Sequence, residues 1–147
     1  MATHPARMLK VNLSGNQEEV FNEAGKILLS GGLVAYPTES FYGLAADATN
    51  ETAIRRLFLA KKRSIGLPVL ILISDADVLD QYVRHIPSTA RHLTKKFWPG
   101  GLTLVFEAGP NISPLLTAGK GTIGIRLSSH PVATALTRFL GVPIYGS

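Results

Sequence analysis

The chain has 147 residues and no cysteine, which excludes a disulfide framework, a thiolate metal site and a cysteine nucleophile. With 46% hydrophobic residues it is long and apolar enough to bury roughly 70% of its unfolded surface as one domain, so disorder is excluded as well. Fifteen Lys and Arg against ten Asp and Glu leave a charge of +5, a modest excess that favours anionic partners such as nucleotide, phosphate or RNA.

The longest unbroken apolar run, Val69 to Ile73, is far too short to span a bilayer. The N-terminal MATHPARMLKVNLSG has no apolar signal core, so the expectation is a cytoplasmic protein with no membrane partner. Leu9 to Leu13 alternates apolar and polar residues, as an edge strand does. Ser14 with Gln17 reads as a capping box. Val20, Phe21, Ala24, Ile27 and Leu28 then recur at helical spacing up to Gly31-Gly32.

Leu33 to Tyr36 is a short apolar strand, read as central to the fold. Pro37 removes a backbone donor and stops its pairing. Directly after that stop come Thr38, Glu39, Ser40 and Tyr42. Hydroxyls and a carboxylate at the mouth of a buried strand suit a small-ligand site; a polar loop between two strands is the plainer alternative. Asn50 or Thr49 can cap the next helix, whose apolar stripe is Ala53, Ile54, Leu57 and Phe58. Lys61 continues that stripe at the last turn, either snorkelling outward along its stem or entering a cleft. Arg63 lies just past the helix, where a cation also gains from the helix dipole. Arg55, Arg56, Lys61, Lys62 and Arg63, then Arg91, Lys95 and Lys96, form basic clusters, which solvated helix faces also produce.

Val69 to Ile73 reads as a strand buried on both faces, with helices covering the sheet. A helix is expected from about Asp75 to Tyr82, and another from Pro87-Ser88 to Phe97, with Leu93 and Phe97 on one face. Trp98-Pro99-Gly100-Gly101 breaks the second. Leu102 to Phe106 is a strand. Gly109 to Gly121 has two prolines and no period, so it reads as loop. In Thr122 to Leu127, Ile123, Ile125 and Leu127 share one face and Thr122, Gly124 and Arg126 the other. Gly124 leaves room for something to lie against the backbone. Thr122 and Arg126, roughly 13 Å apart at about 3.3 Å per residue, would touch different parts of one ligand. Arg126 suits a carboxylate or phosphate; a surface arginine on an exposed sheet face is the competing reading. Ser129 caps the last helix, with Pro131 in its first turn. Its apolar face is Val132, Ala135, Leu136, Phe139 and Leu140, and Gly141 closes it. Val142 to Tyr145 starts a further strand.

Several signals fail. Gly119 to Gly124 matches G-x-G-x-x-G but leads into a strand instead of opening a helix. His4, His85, His92 and His130 lack metal-ligand spacing and read as surface or capping residues, so no metal site is expected. There is no nucleophile elbow.

YPTESFYGL, AKKRSIGLPVLILI, FWPGGLTLVF and GTIGIRLSSHP, in this order, resemble the YrdC/TsaC-like family, the L-threonylcarbamoyladenylate synthases. The resemblance implies a single domain over 1–147 with an α/β fold: a twisted, open, mixed parallel and antiparallel sheet, helices on its faces, around a basic concave cleft. It implies an enzyme, a nucleotidyltransferase that joins L-threonine, bicarbonate or CO2 and ATP into threonylcarbamoyl-AMP and pyrophosphate. Mg2+ would travel with ATP. The product would serve the threonylcarbamoyladenosine modification of tRNA through a downstream tRNA threonylcarbamoyl transferase.

Residue by residue, the resemblance makes Thr38 the hydroxyl that contacts threonine, with Tyr42 nearby. Lys61 and Arg63 become the catalytic pair facing the nucleotide, Thr122 an ATP-site residue and Arg126 the clamp on the threonine carboxylate. Gly146 is placed on the substrate side and Ser147 on the nucleotide side where the wall around the ligands begins. The chain departs from the family pattern at Ser40, Ser64, Leu72 and Ser128. The expected Ser-Ala-Asn motif would follow Pro143-Ile144-Tyr145-Gly146-Ser147, so a truncated domain with weakened or absent synthesis is expected. An RNA-binding module with a basic cleft, and a carbamoyl-transfer domain with another acceptor, remain the alternatives at this point.

Overall fold

The computed structural model describes residues 6–12, 14–15, 17–39, 41–62 and 69–145. Helix α1 (Gln17–Leu29) leads into a hairpin of β1 (Val34–Pro37) and β2 (Tyr42–Ala45), then α2 (Glu51–Ala60) and β3 (Leu70–Leu72). A 3-10 helix (Ala76–Gln81), α3 (Ser88–Phe97), β4 (Thr103–Glu107), the single turn α4 (Pro114–Thr117), β5 (Thr122–Arg126), α5 (Pro131–Leu140) and β6 (Ile144–Tyr145) complete the order.

Four strands form a mixed sheet in the order β4-β5-β3-β6. β5 pairs parallel with β3, while β4 pairs antiparallel with β5 and β6 with β3. The hairpin is a separate antiparallel pair, so β1 is not the central strand its apolar run suggested. The link to the sheet comes just after β2: Tyr145 N–H donates to the Ala46 carbonyl at 2.8 Å, and Ala48 N–H to the Pro143 carbonyl at 3.0 Å. Pro37 closes β1 as its last paired residue, opposite Tyr42.

Strand alternation sorts the side chains into two cores. Ile71, Ile123 and Ile125 face Leu57 and Phe58 of α2 and Leu116 of α4. Leu72 and Ile144 face the other way, toward Phe21 and Leu28 of α1, Val132 and Leu136 of α5, and Tyr36 and Ala45 of the hairpin. Helices therefore cover both faces, as the doubly buried run at β3 requires. Full burial of each such side chain contributes about 1.5–3 kcal/mol.

Local rules account for most boundaries. Asn50 caps α2, its Oδ1 accepting from Ala53 N–H at 3.2 Å, and the stripe Ala53, Ile54, Leu57, Phe58 is buried. Gly141 closes α5 at φ 75°.

Several expectations are corrected. Residues 9–12 form no strand; Val11 instead packs against the α1–α5 core. Helix α1 starts at Gln17, and the Ser14 hydroxyl donates to Asn12 Oδ1 at 2.8 Å, so the pair makes no capping box. The segment after Asp75 is 3-10, capped by Asp75 accepting from Asp77 N–H. The supposed loop 109–121 contains α4, started by Ser113 accepting from Leu115 N–H with Pro114 in its first turn. The cap of α5 is His130, not Ser129: its Nδ1 accepts from Val132 N–H at 3.1 Å. Phe139 stays 46% exposed, while Ala133 and Thr137 are buried in the face of α5.

Candidate functional site

The hairpin turn and the C-terminal end of β5 meet. Arg126 stands opposite Thr103 in the β4–β5 register, so the two side chains share a sheet face, and Arg126 Nε donates to Thr103 Oγ1 at 2.9 Å. Arg126 Nη1 donates to Glu39 Oε1 at 3.3 Å, across 87 residues of sequence. The other carboxylate oxygen, Oε2, accepts from Ser128 Oγ at 2.5 Å. Ser128 Oγ in turn accepts from His130 N–H at 3.1 Å, and the Ser128 carbonyl accepts from Thr134 Oγ1 at 2.9 Å. The start of α5 is thereby wired to the same carboxylate as the end of β5.

The turn is internally held. Thr38 Oγ1 donates to the Phe41 carbonyl at 2.6 Å. Beneath it Tyr36 is 1% exposed, and its hydroxyl has no partner among the described residues. Gly43 makes this placement possible, because a Cβ there would stand 3.1 Å from the Tyr36 ring. Burial first, and then the Glu39 charge, push the Tyr36 phenol well above its ordinary range, with the Arg126 charge acting against them. For Glu39, burial pushes upward but is outweighed by the Ser128 hydrogen bond, then a bond from its own backbone N–H, then the Arg126 charge and hydrogen bond, so its pKa lies below the ordinary carboxylate value.

Of the residues expected from sequence, Thr38 and Arg126 are brought to one place through Glu39. Tyr42 lies at the start of β2, 77% exposed. Thr122 sits at the opposite end of β5, across from Glu107. Lys61 is the exposed C-cap of α2, and Lys62 follows at φ 51°. Arg63, Gly146 and Ser147, with Ser40 and Ser64, lie outside the described residues. The room expected at Gly124 is taken: a Cβ there would meet the Thr103 methyl at 3.2 Å and Leu70 Cβ at 3.4 Å. The residues that sequence reasoning did not assign to the site are Glu39, Ser128 and Thr103. Glu39 gave a signal by standing in the polar cluster after Pro37, and Ser128 by departing from the family pattern. A cleft of about 460 Å3 at the N-terminal segment, lined by Met8, Leu9, Lys10 and the Glu19–Glu23 side of α1, includes none of the candidate residues.

Arg126 thus has its plane held by Thr103 and one outer nitrogen paired with the Glu39 carboxylate. With this geometry, the Sua5/YciO/YrdC family model, described as telomere recombination, matches residues 26–147. The chain belongs to the Sua5/YciO/YrdC family. The domain is 40% identical over 133 residues to the threonylcarbamoyl-AMP synthase of Bacillus subtilis, covering 90% of this chain and 38% of that protein. It is 32% identical to the enzyme of the same name from Psychromonas ingrahamii, covering 87% of this chain and 68% of the relative. Among solved structures, P. abyssi Sua5 complexed with L-threonine superposes with a TM-score of 0.86 at 36% identity, over 88% of this chain and 38% of that one. E. coli YciO superposes at 0.81 with 29% identity, over 89% and 64%. The Sua5/YciO/YrdC domain described here thus spans well under half the length of the B. subtilis and P. abyssi relatives. No helix among its described residues is long and apolar enough to cross a membrane.

Proposed function

We propose that this domain performs threonylcarbamoyl-AMP synthesis, joining L-threonine, bicarbonate or CO2 and ATP with release of pyrophosphate. The observation that carries the reading is the meeting of the Thr38–Tyr42 turn with Arg126 at the end of β5, linked through Glu39. The names of the B. subtilis and P. ingrahamii relatives support it, as does the likeness to the structure solved with L-threonine.

In this reading Arg126 takes the threonine carboxylate, and Thr38 and Tyr42 stand beside the rest of the amino acid. The threonine amine and bicarbonate form a carbamate with loss of water. A carbamate oxygen then attacks the α-phosphorus, the bond to the β-phosphate bridging oxygen breaks, and pyrophosphate leaves. No protein nucleophile is required. The chain's contribution is alignment and cationic stabilisation of charge on the phosphate oxygens, the work given to Lys61 and Arg63. Thr122 contacts the nucleotide, and Gly146 and Ser147 border the ligands. Mg2+ arrives on the triphosphate as part of the substrate. The adenylate, made in the cytoplasm, would pass to a transferase that acts on tRNA.

The test is calorimetric titration of L-threonine with and without ATP at moderate salt. The reading expects ATP to enhance threonine binding, and threonine to enhance ATP binding by the same factor, as linkage demands. Binding of RNA that weakens steeply with salt, with neither small ligand bound, would replace it with a nucleic-acid-binding role.

A further inference from the structure

Glu39 is an acidic side chain placed on the cation that the proposed reaction needs for its substrate. Arg126 does not depend on Glu39 for its orientation, because Nε is held by Thr103 Oγ1 at 2.9 Å. Glu39 does not depend on Arg126 for satisfaction, because its closer bond is the 2.5 Å contact from Ser128. The bond between them is the longest of the three, at 3.3 Å, outside the 2.7–2.9 Å usual for a tight charge-assisted pair. It is also reachable: the two side chains retain 23% and 21% exposure. Arg126 Nη2 has no partner among the described residues. A guanidinium with its plane fixed, one nitrogen lightly held and one open is poised to exchange one carboxylate for another.

We propose that Glu39 is an internal stand-in for the substrate carboxylate: it occupies Arg126 in the empty site, is displaced when L-threonine binds, and stays tethered by Ser128. The inference rests on the reading of Arg126 as the carboxylate clamp. Occupation by an internal competitor lowers apparent affinity by the fraction of molecules in which the clamp is engaged. The same contact keeps the guanidinium paired while no ligand is present.

The test titrates wild type, Glu39→Gln, Ser128→Ala and Arg126→Ala with L-threonine and with L-threoninamide, which has no carboxylate. Glu39→Gln keeps the shape and removes the competing charge, so L-threonine binding tightens about two- to fivefold, the range of a partly exposed ion pair. Ser128→Ala removes the bond that holds Glu39 once it is displaced, leaves the carboxylate dependent on Arg126, and so weakens L-threonine binding by a smaller factor. Binding of L-threoninamide is not tightened by either variant. Weaker L-threonine binding in Glu39→Gln would overturn the proposal and make Glu39 a direct substrate contact. Unchanged binding in both Glu39→Gln and Ser128→Ala, with loss in Arg126→Ala, would overturn the stand-in alone. Wild-type affinity in Arg126→Ala, or no threonine binding by any form, would overturn the clamp reading and the stand-in with it.

Discussion

The two faces of β5 belong to one five-residue strand and are built on different principles. On one face Ile123 and Ile125 are 1% and 0% exposed and sit in the core with α2 and α4. On the other, Thr122, Gly124 and Arg126 are only half-buried. Arg126 is held by Thr103 from β4 and by Glu39 from the hairpin turn. The apolar face contributes stability through non-directional burial, which many side chains of similar volume would supply. The polar face contributes little stability and much geometry, because its bonds are directional and partly solvated. The difference teaches that the strand's alternation divides the work between holding the fold and presenting one cation.

The largest effect should come from the apolar face. Ile125→Ala removes a fully buried side chain and should cost about 2–5 kcal/mol of stability, read from the urea midpoint. A cost below about 1 kcal/mol would mean that the core relaxes around the gap. Gly124→Ala should come next. Its methyl would stand 3.2 Å from the Thr103 methyl, a crowding that costs about 1–3 kcal/mol. Displacement of Thr103 should also loosen the Arg126 Nε bond, so threonine affinity should fall even where the fold survives. Unaltered affinity would show that Arg126 keeps its plane without Thr103.

The smallest effect concerns pH. A carboxylate with a lowered folded pKa stabilises the native state above its unfolded value, and that contribution disappears as pH falls through the folded one. Glu39 is such a group. The stability difference between wild type and Glu39→Gln should therefore be present at neutral pH and fade below the ordinary carboxylate value near 4.5. A difference that grew on acidification would contradict the assigned direction.

Much of this division was legible in the sequence. The alternation from Thr122 to Arg126 gave both faces, and the stripe Ala53, Ile54, Leu57, Phe58 gave the buried side of α2. Both are periodic signals that burial enforces. Elements too short to carry a period were not legible. The four residues of α4 left only Ser113 and Pro114 as hints, and the 3-10 turn after Asp75 looks like helix over so few residues. Serine is the commoner cap, which points to Ser129, yet Pro131 at the first helical position leaves the cap of α5 to His130. Glu39 and Arg126 are 87 residues apart, and no local rule joins them. Thr103 and Arg126 needed the β4–β5 register, which alternation alone does not fix. The sequence suggests room for a ligand at Gly124, where the cross-strand Thr103 methyl stands instead.

The measurement that tests the central claim most directly is calorimetric titration of L-threonine into wild type and Arg126→Ala, each checked first for an intact urea transition. Arg126 is partly exposed, so its loss should change stability by less than about 1 kcal/mol. Affinity for L-threonine should fall roughly tenfold or more, as expected for losing hydrogen bonds to a charged partner. Equal threonine affinity in two equally folded proteins would contradict the account, and the polar face of β5 would then be a structural ion pair and not the place where the substrate is held.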